Sequence, residues 1–473
     1  MAGFDKVNKM KIALIAPSVK FVSEYAPLNE LLSADISRGY RWPEFNLTLL
    51  TIAGMTPVHY EIDVIDEIYK DIDFEKKYDI VAITAMTFSV TRAYEIAKKF
   101  KEKGTHTVLG GIHATLLPDE AGQNVDTVFV GESEMTWPQF LKEFEEGKAQ
   151  KKYYGSQPDL SFSPIPRWEY MSEFITKRSI ERFKTIKSWT LGLNATRGCP
   201  RDCEYCSSTR IYGSKFRKKS IEQVIKEVRT IKKWTKYYGI QDYSIAFRDD
   251  NPILGVKYGL ELVEALTEEK VYWTGLTDIA IYKHPELIQK LYPSGCIALG
   301  LGLESLNEPS LQSIAPWKST QIKYYEEFIE FAVKQGFLIS LNFIFGMDSD
   351  TEESVRMVDD LCSRYPVAPN FLLLTPFPNQ LITRRLKQEG RLPDEIYWDR
   401  CNLYNLVFEP KLMGKQELYE HVAYLHRKFN SPEHWKNIRA ELQAIRNKRG
   451  DAVPLPPSPQ QQYKPRMNQS FTN

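Results

Sequence analysis

The sequence of 473 residues has few cysteines, almost no net charge and no long hydrophobic run. Its six cysteines are typical of a chain kept in a reducing compartment rather than one held by disulfides. The net charge of +1 gives no overall attraction to nucleic acid or to an anionic membrane. No stretch reaches the roughly 18 uncharged apolar residues of a spanning helix, and the first residues lack the apolar core of a secretion signal. These absences predict a cytoplasmic protein with no transmembrane segment and no nucleic-acid partner. The length of the chain predicts two or three domains.

Three of the six cysteines stand together, at Cys199, Cys203 and Cys206, and no cysteine precedes them. Their spacing is C-x3-C-x2-C, which would let three thiolates bind three irons of a cubane cluster. Most iron–sulfur clusters take four cysteines. A set of three therefore predicts a cluster with one open iron, at which a small molecule could bind and react.

A zinc site, a disulfide and unrelated buried thiols are the alternatives for these cysteines. Zinc would need a fourth Cys or His, but no His lies between His113 and His284 and the next cysteine is Cys296. A disulfide would leave one cysteine over. Polar residues between the cysteines favour an exposed loop over buried thiols: Arg201, Asp202 and Glu204. The remaining cysteines are too far apart for a second motif and are interpreted as buried small hydrophobes: Cys296, Cys362 and Cys401.

Residues 9–150 alternate short apolar runs with helical patterns, which predicts a doubly wound, flavodoxin-like α/β domain. The predicted strands are residues 11–18, 60–67, 79–84, 107–110 and 127–130, with an amphipathic helix over 90–103. In such a sheet, ligands bind at the carboxyl ends of the strands. The loops at those ends carry the candidate ligand-binding residues: Thr84, Ser89, Gly110, Gly111, His113, Gly131 and Glu132.

Residues 190–378 alternate strands and helices again, after a proline-punctuated linker over 151–189. The predicted strands are 191–194, 243–247, 271–274, 296–301, 338–345 and 370–374, with a helix over 220–233. Six such units predict a partial (β/α)6 barrel rather than a full eight-stranded one. Polar residues just past the strand ends mark the rim at which barrel active sites lie: Asp249, Asp250 and Glu304. The two aspartates also fit a helix cap.

The last fifth of the chain follows the predicted barrel. Residues 379–450 are predicted to form a helical capping region, with one amphipathic helix over 415–447. Residues 451–473 are rich in Pro, Gln and Ser and predict a disordered tail.

The cysteine run, with Tyr205 before the last cysteine, resembles the signature of radical S-adenosylmethionine (radical SAM) enzymes. In that family three thiolates hold a 4Fe–4S cluster whose open iron is chelated by SAM. One electron cleaves SAM to methionine and a 5′-deoxyadenosyl radical, which abstracts hydrogen from an unreactive carbon. The resemblance implies an electron donor such as flavodoxin or ferredoxin. It also implies a set of SAM contacts: Tyr205, Asp249, Asp250, Glu304, Phe345 and Gly346.

Residues 41–137 resemble the cobalamin-binding domain of cobalamin-dependent radical SAM proteins, through the pieces 46–53, 110–115, 118–121 and 131–134. The resemblance implies that the loop residues named above bind cobalamin. The D-x-H-x-x-G motif, whose histidine ligates cobalt in methionine-synthase-type proteins, is absent. His113 is then either a ligand or, as we favour, a loop histidine that shapes the pocket. A degenerate domain that binds no cofactor is left open.

The segment from residue 378 to 410 resembles the corresponding region of hopanoid methylases and of relatives that methylate bacteriochlorophyll precursors. The implied enzyme is a cobalamin-dependent radical SAM methyltransferase that acts on an unactivated carbon of a hydrophobic small molecule, either a hopanoid-like lipid or a chlorophyll-type tetrapyrrole. The closest alternative is an oxidative cyclase or hydroxylase of tetrapyrrole synthesis. A non-catalytic cobalamin or iron–sulfur sensor is a third hypothesis. An RNA-modifying methylthiotransferase is a fourth, but that class usually carries three N-terminal cysteines.

Overall fold

The computed structural model describes residues 9–18, 22–37, 44–175, 189–393 and 395–450. The strands are β1 Lys11–Ala16, β2 Glu44–Phe45, β3 Glu61–Asp66, β4 Ile80–Thr84, β5 His106–Gly110, β6 Thr127–Val130, β7 Lys152–Tyr154, β8 Trp189–Leu193, β9 Thr196–Arg197, β10 Arg217–Lys218, β11 Tyr243–Phe247, β12 Trp273–Thr277, β13 Cys296–Glu304, β14 Leu338–Phe345 and β15 Ala368–Leu373. The α-helices are Ala26–Ser37, Leu47–Met55, Val90–Lys101, Ile112–Leu116, Pro118–Asn124, Thr136–Glu145, Ser208–Tyr212, Ile221–Tyr237, Val256–Glu269, Pro285–Leu291, Glu308–Ile314, Pro316–Ser319, Tyr325–Lys334, Glu352–Arg364, Leu381–Gln388, Lys415–Phe429 and Pro432–Arg449.

The N-terminal sheet is parallel, with six strands in the order β3-β1-β4-β5-β6-β7. Alternate residues of β1 belong to two separate cores, because Ile12 and Leu14 pack on one face while Ala13 and Ile15 pack on the other. Burial on both faces explains the continuous apolar run of this strand. The doubly wound fold is thus confirmed. Strand β7 was not predicted and lies in the segment assigned to the linker.

The second sheet is also parallel, with seven strands in the order β15-β14-β13-β12-β11-β8-β2. Its six strands from β8 to β15 confirm the predicted partial barrel. The seventh, β2, comes from before most of the N-terminal sheet and pairs with β8 at the edge. Phe45 of β2 packs against Trp168, Phe174 and Trp189. This short strand therefore ties the N-terminal segment to the barrel.

The barrel strands distinguish an outer face from an inner face. Leu299, Leu301 and Leu303 of β13 are buried in the core, whereas Ala298 and Gly302, at alternate positions on the other face, are partly exposed. Side chains alternate along a strand, so the partly exposed set faces the barrel interior. The interior at the carboxyl end of these strands is the place at which a barrel builds its site.

The predicted single helix over 415–447 is wrong, because the structure divides it into Lys415–Phe429 and Pro432–Arg449. Ser431 caps the second helix by accepting a hydrogen bond from the His434 amide at 3.2 Å. Pro432 occupies the first turn of that helix, where its missing amide proton costs nothing, but it could not continue the preceding helix. The predicted tail, residues 451–473, lies outside the described residues. Among the helices that the structure describes, none is long and apolar enough to cross a membrane.

Candidate active site

The cysteine loop follows β9 and is shaped by Gly198 directly before Cys199. Gly198 has a φ of 88°, and a Cβ at this position would lie 2.2 Å from the carbonyl oxygen of Lys215. The Cys199 amide donates to the Gly213 carbonyl at 3.2 Å, and the Cys206 amide donates to the Cys203 carbonyl at 3.0 Å. Only glycine fits here, so this residue fixes the path of the chain into the first cysteine.

The three thiols are free and lie close enough to influence one another electrostatically. Burial raises the pKa of the Cys199 thiol to about 11 and also raises that of Cys206. Metal binding would deprotonate such thiols. In the described part of the chain no three His, Cys, Asp or Glu side chains are arranged to hold a single metal ion. A cubane cluster needs no such arrangement, because each cysteine binds a different iron. The three neighbouring thiols fit a cluster.

The helix Leu381–Gln388 and the residue before it, Gln380, contact the cysteine loop and hold it in place. The Gln380 side-chain amide donates to the Tyr205 carbonyl and, at 2.9 Å, to the Ser207 hydroxyl. Arg385 forms a forked ion pair with Glu204, with N–O distances of 2.9 and 3.1 Å. Because both contacts reach residues between or beside the cysteines, they hold the loop against the barrel.

The two aspartates that follow β11 differ in how their oxygens are used. Asp249 is buried and accepts hydrogen bonds from the Ala195 amide at 2.9 Å and the Thr196 hydroxyl at 2.7 Å, so it braces the turn before the cysteine loop. Burial raises its pKa to about 7. Asp250 accepts one hydrogen bond, from the Ser208 hydroxyl at 2.5 Å, and its Oδ2 is buried without a partner among the described residues. Asp250 therefore presents the free acceptor.

Tyr205 and Glu304, two predicted SAM contacts, are brought together by a lysine that sequence reasoning missed. Lys318 Nζ lies 3.3 Å from the Tyr205 hydroxyl, donates to the Gly302 carbonyl at 2.9 Å and forms a buried ion pair with Glu304. Glu304 has a φ of 66° at an irregularity in the β13–β14 register, and its carboxylate lies over Gly302, where a Cβ would be 2.5 Å from Glu304 Oε1. The structure thus groups these side chains beside the cysteine loop.

Phe345 is the last residue of β14 and Gly346 follows it. The two residues differ in which of their atoms a ligand could contact. The Phe345 side chain is buried against Phe371, on the side away from the barrel interior. Gly346 has a φ of 103°, and its amide donates to Asp350 at 2.9 Å. Any contact with a ligand at this turn would therefore use the backbone, with Asp350 holding its shape.

The predicted cobalamin loops meet at one edge of the N-terminal sheet, because β4, β5 and β6 are neighbours. Gly111 has a φ of 94°, and a Cβ on it would lie 2.9 Å from the Thr84 hydroxyl. The Gly131 amide donates to the Thr115 hydroxyl at 3.0 Å. Ser89 uses its hydroxyl locally, on the backbone of Met86. Gly110 precedes Gly111 in the same turn. Two buried polar atoms here lack partners among the described residues: Thr87 Oγ1 and His113 Nδ1. The unpaired Thr87 hydroxyl at the carboxyl end of the sheet fits a polar ligand, whereas Gly111 is required by the close approach of the neighbouring strand end.

His113 is fully buried rather than open to a pocket. Its Nε2 lies 3.2 Å from Glu120, and its ring packs edge-on against Tyr94 and Trp398. Trp398 also donates to Glu120 at 3.0 Å. These contacts favour a packing role that joins the C-terminal region to the N-terminal domain.

Glu132 faces the barrel and belongs to an interdomain ion cluster, which we define as Glu132, Glu134, Arg197 and Arg217. Arg197 pairs with Glu132 at 2.5 Å and with Glu134 at 2.6 Å. Arg217 donates to Glu132 at 3.0 Å and to the Pro158 carbonyl at 2.9 Å. The interdomain ion cluster joins the loop after β6 to strands β9 and β10. Its Arg197 lies two residues before Cys199.

Comparison with known proteins separates the chain into the same two parts. Residues 193–362 match the family model of the Radical SAM superfamily, and residues 47–141 match that of the B12 binding domain. Bacteriochlorophyllide d C-12(1)-methyltransferase of Chlorobaculum tepidum is 30% identical over 395 residues, which cover 80% of this chain and 81% of that protein. The chain belongs to the B12-binding branch of the radical SAM superfamily.

Two further proteins resemble this radical SAM chain over most of its length. Hopanoid C-3 methylase of Methylococcus capsulatus is 24% identical, covering 82% of this chain and 83% of that protein. The structure of the radical SAM methyltransferase TsrM from Kitasatospora setae, with cobalamin and a [4Fe-4S] cluster bound, has a TM-score of 0.58 at 14% identity, covering 92% of this chain and 89% of that one. At that identity, the likeness to TsrM concerns the fold.

The family match confirms that the chain is a cobalamin-dependent radical SAM methyltransferase whose cofactors are a 4Fe–4S cluster, SAM and cobalamin. The individual contacts to these cofactors stay predictions. Sequence reasoning missed several residues that support the site: Arg197, Arg217, Lys318, Gln380 and Arg385. Only Gln380 had a readable signal, because it lies in the loop after the last barrel strand, as Asp250 lies after β11.

Proposed function

We propose that this radical SAM methyltransferase adds a methyl group to an unactivated carbon of a large hydrophobic molecule, with chlorophyll-type tetrapyrroles as the first class to test and hopanoid-like lipids as the second. The observation that carries the proposal is the 30% identity, over four fifths of both chains, to a methyltransferase named for bacteriochlorophyllide d. The hopanoid class is supported by a more distant relative of similar coverage.

The barrel interior supports a hydrophobic substrate. Leu276 of β12 is 48% exposed although it lies in a central strand. Ile344 of β14 and Leu372 of β15 are partly exposed at positions that alternate with buried residues. Large aliphatic side chains left open inside a barrel would lose contact with water when an apolar ligand binds.

We propose roles for the residues at the barrel mouth. Cys199, Cys203 and Cys206 would hold the cluster, and Asp250 Oδ2 would accept a hydrogen bond from the SAM ammonium group. Tyr205, Lys318 and Glu304 would line the neighbouring wall. When bound, the cluster and SAM supply a hydrogen-abstracting radical and cobalamin supplies a transferable methyl group.

Product analysis tests the proposed function. Protein reconstituted with iron, sulfide and cobalamin is incubated with methyl-labelled SAM, reduced flavodoxin and bacteriochlorophyllide d, and a parallel reaction contains a hopanoid. We expect a product heavier by one labelled CH2 unit, together with 5′-deoxyadenosine. A product that gains oxygen or loses hydrogen would instead support the oxidative cyclase or hydroxylase. No 5′-deoxyadenosine with any substrate would contradict the radical reaction.

Replacing Asp250 with asparagine is expected to weaken SAM binding by more than about tenfold, because a charge-assisted hydrogen bond contributes roughly 1.5–3 kcal/mol. The measurement is SAM affinity by isothermal titration to the cluster-loaded protein. Asp202→Asn is the matched control, since it makes the same change on an exposed side chain of the cysteine loop. Equal affinity in the Asp250 variant and the wild type would remove Asp250 from the SAM site.

A further inference from the structure

Trp317 donates a hydrogen bond to one of the three cysteines from a distant part of the chain. Its indole Nε1 lies 3.3 Å from Cys203 Sγ, although the two residues are 114 positions apart. Cys203 is the most buried of the three, with 7% of its surface exposed. In the sequence nothing marks this tryptophan, which stands in the short helix Pro316–Ser319 beyond the end of β13.

Two contacts attach the indole and the segment that carries it to the cysteine loop. The Arg201 guanidinium, which belongs to the cysteine loop, stacks on the Trp317 ring at 4.1 Å from its centroid. Asp278 lies 3.6 Å from Arg201 and offsets its charge. The Glu204 amide donates to the Ile314 carbonyl at 2.8 Å, which attaches the cysteine loop to the segment that carries Trp317. The N–H···S contact is therefore part of a built interface between the loop and the barrel.

We propose that Trp317 tunes the reduction potential of the cluster through its hydrogen bond to Cys203. One-electron reduction adds negative charge to the irons and to their thiolate ligands. A donor that points at a ligand sulfur stabilises the reduced state more than the oxidised state and so raises the potential. A thiolate bound to iron keeps lone pairs, so ligation and the indole N–H bond are compatible.

The consequence for the enzyme is easier reduction of the cluster. Cleavage of SAM needs one electron from the cluster, so a low potential limits the fraction of molecules that can start a turnover. The inference rests on the proposed role of the three cysteines as ligands. That role is tested separately, because loss of a ligand removes the cluster, whereas loss of the indole N–H leaves it in place and shifts its potential.

The test is Trp317→Phe in the full-length, cluster-loaded protein. Phenylalanine keeps a ring for Arg201 to stack on and removes the N–H donor. The ratio of reduced to oxidised cluster is measured by electron paramagnetic resonance at a series of fixed potentials, with dithionite and mediators. We expect that ratio to fall about fivefold at any given potential, which corresponds to a downward shift of about 40 mV for a one-electron couple. Trp234→Phe, on an outer helix, makes the same change away from the loop.

The iron and sulfide content of the Trp317→Phe variant decides which measurement tests the proposal. If Trp317→Phe holds a full cluster, a lowered potential supports the proposal and an unchanged potential overturns it. If Trp317→Phe cannot hold the cluster, β-(benzothien-3-yl)alanine at position 317 decides, because this tryptophan analogue keeps the bicyclic ring and has sulfur in place of the indole N–H. A lowered potential in the protein that carries the analogue then supports the proposal, and a potential equal to that of the wild type overturns it.

Discussion

Replacing Cys203 with alanine is expected to abolish SAM cleavage. A cubane cluster has four irons, and three thiolates bind three of them. The loss of one thiolate therefore leaves two irons without protein ligands. Losing a mere outer-shell partner of a metal site costs roughly 10–100-fold in affinity or activity. We therefore expect cluster occupancy and 5′-deoxyadenosine formation to fall by more than about 100-fold, measured as iron and sulfide per chain and by chromatography.

Cys296→Ala is the matched control for that substitution. Cys296 is fully buried in β13, and its thiol contacts the Ala298 carbonyl at 3.6 Å in the same strand. It makes the same chemical change within the barrel, so we expect a small loss of stability, about 1 kcal/mol, with the cluster intact. Metal analysis of the wild type also addresses the zinc alternative. If Cys203→Ala kept full iron and sulfide, Cys203 would not be a ligand.

Strands of both parallel sheets were predictable from their apolar patterns. In β1 residues 12–16 are all buried, whereas in β14 every second residue from Ile339 onward is buried in the core. β2 and β7 have two and three residues, too few for any periodicity to appear. Their places are set by pairing with β8 and β6, which no local pattern encodes.

The break between the last two helices was readable but was outweighed by periodicity. Apolar residues continue at helical spacing on both sides of it, which favours a single helix. Ser431 and Pro432, however, form a capping serine followed by a proline in the first turn, a local signal for a new helix start. Here the capping chemistry decides, because proline cannot supply the amide proton that a continuous helix needs.

The candidate site was predictable only where its residues are close in sequence. The cysteine spacing needs no tertiary information. The choice between Asp249 and Asp250 does, because only the fold reveals that Asp249 accepts hydrogen bonds from the Ala195–Thr196 turn, while one Asp250 oxygen has no partner in the part of the chain that the structure describes. Trp317 reaches the loop from 114 residues away, and the ion pair of Arg385 with Glu204 spans 181.

Glu132 was predicted to bind cobalamin, but its contacts favour a structural role as a partner of two arginines. Substitution of Glu132 distinguishes these two roles. In the interdomain ion cluster, the Glu132 carboxylate accepts from both Arg197 and Arg217, and only 4% of its side chain is exposed. Glu132→Gln would leave two guanidinium groups facing Glu134 alone. Breaking a buried pair by removing one partner costs about 3–5 kcal/mol, because the remaining charge stays buried without compensation.

We therefore expect Glu132→Gln to lower the urea midpoint of the cobalamin-free protein strongly, measured by circular dichroism. Glu353→Gln is the matched control, since it removes a carboxylate from an exposed pair with Arg356 and should leave the midpoint unchanged. The double variant Glu132→Gln with Arg217→Gln should lose less stability than the sum of the single variants, because the two side chains share one interaction. If Glu132 acts mainly on cobalamin, the midpoint of the cobalamin-free protein will not move and only cobalamin affinity will fall. The interdomain ion cluster includes Arg197, which lies two residues before Cys199. A lowered midpoint in Glu132→Gln would therefore also identify this ion cluster as a link between the B12-binding domain and the loop that carries the three cysteines.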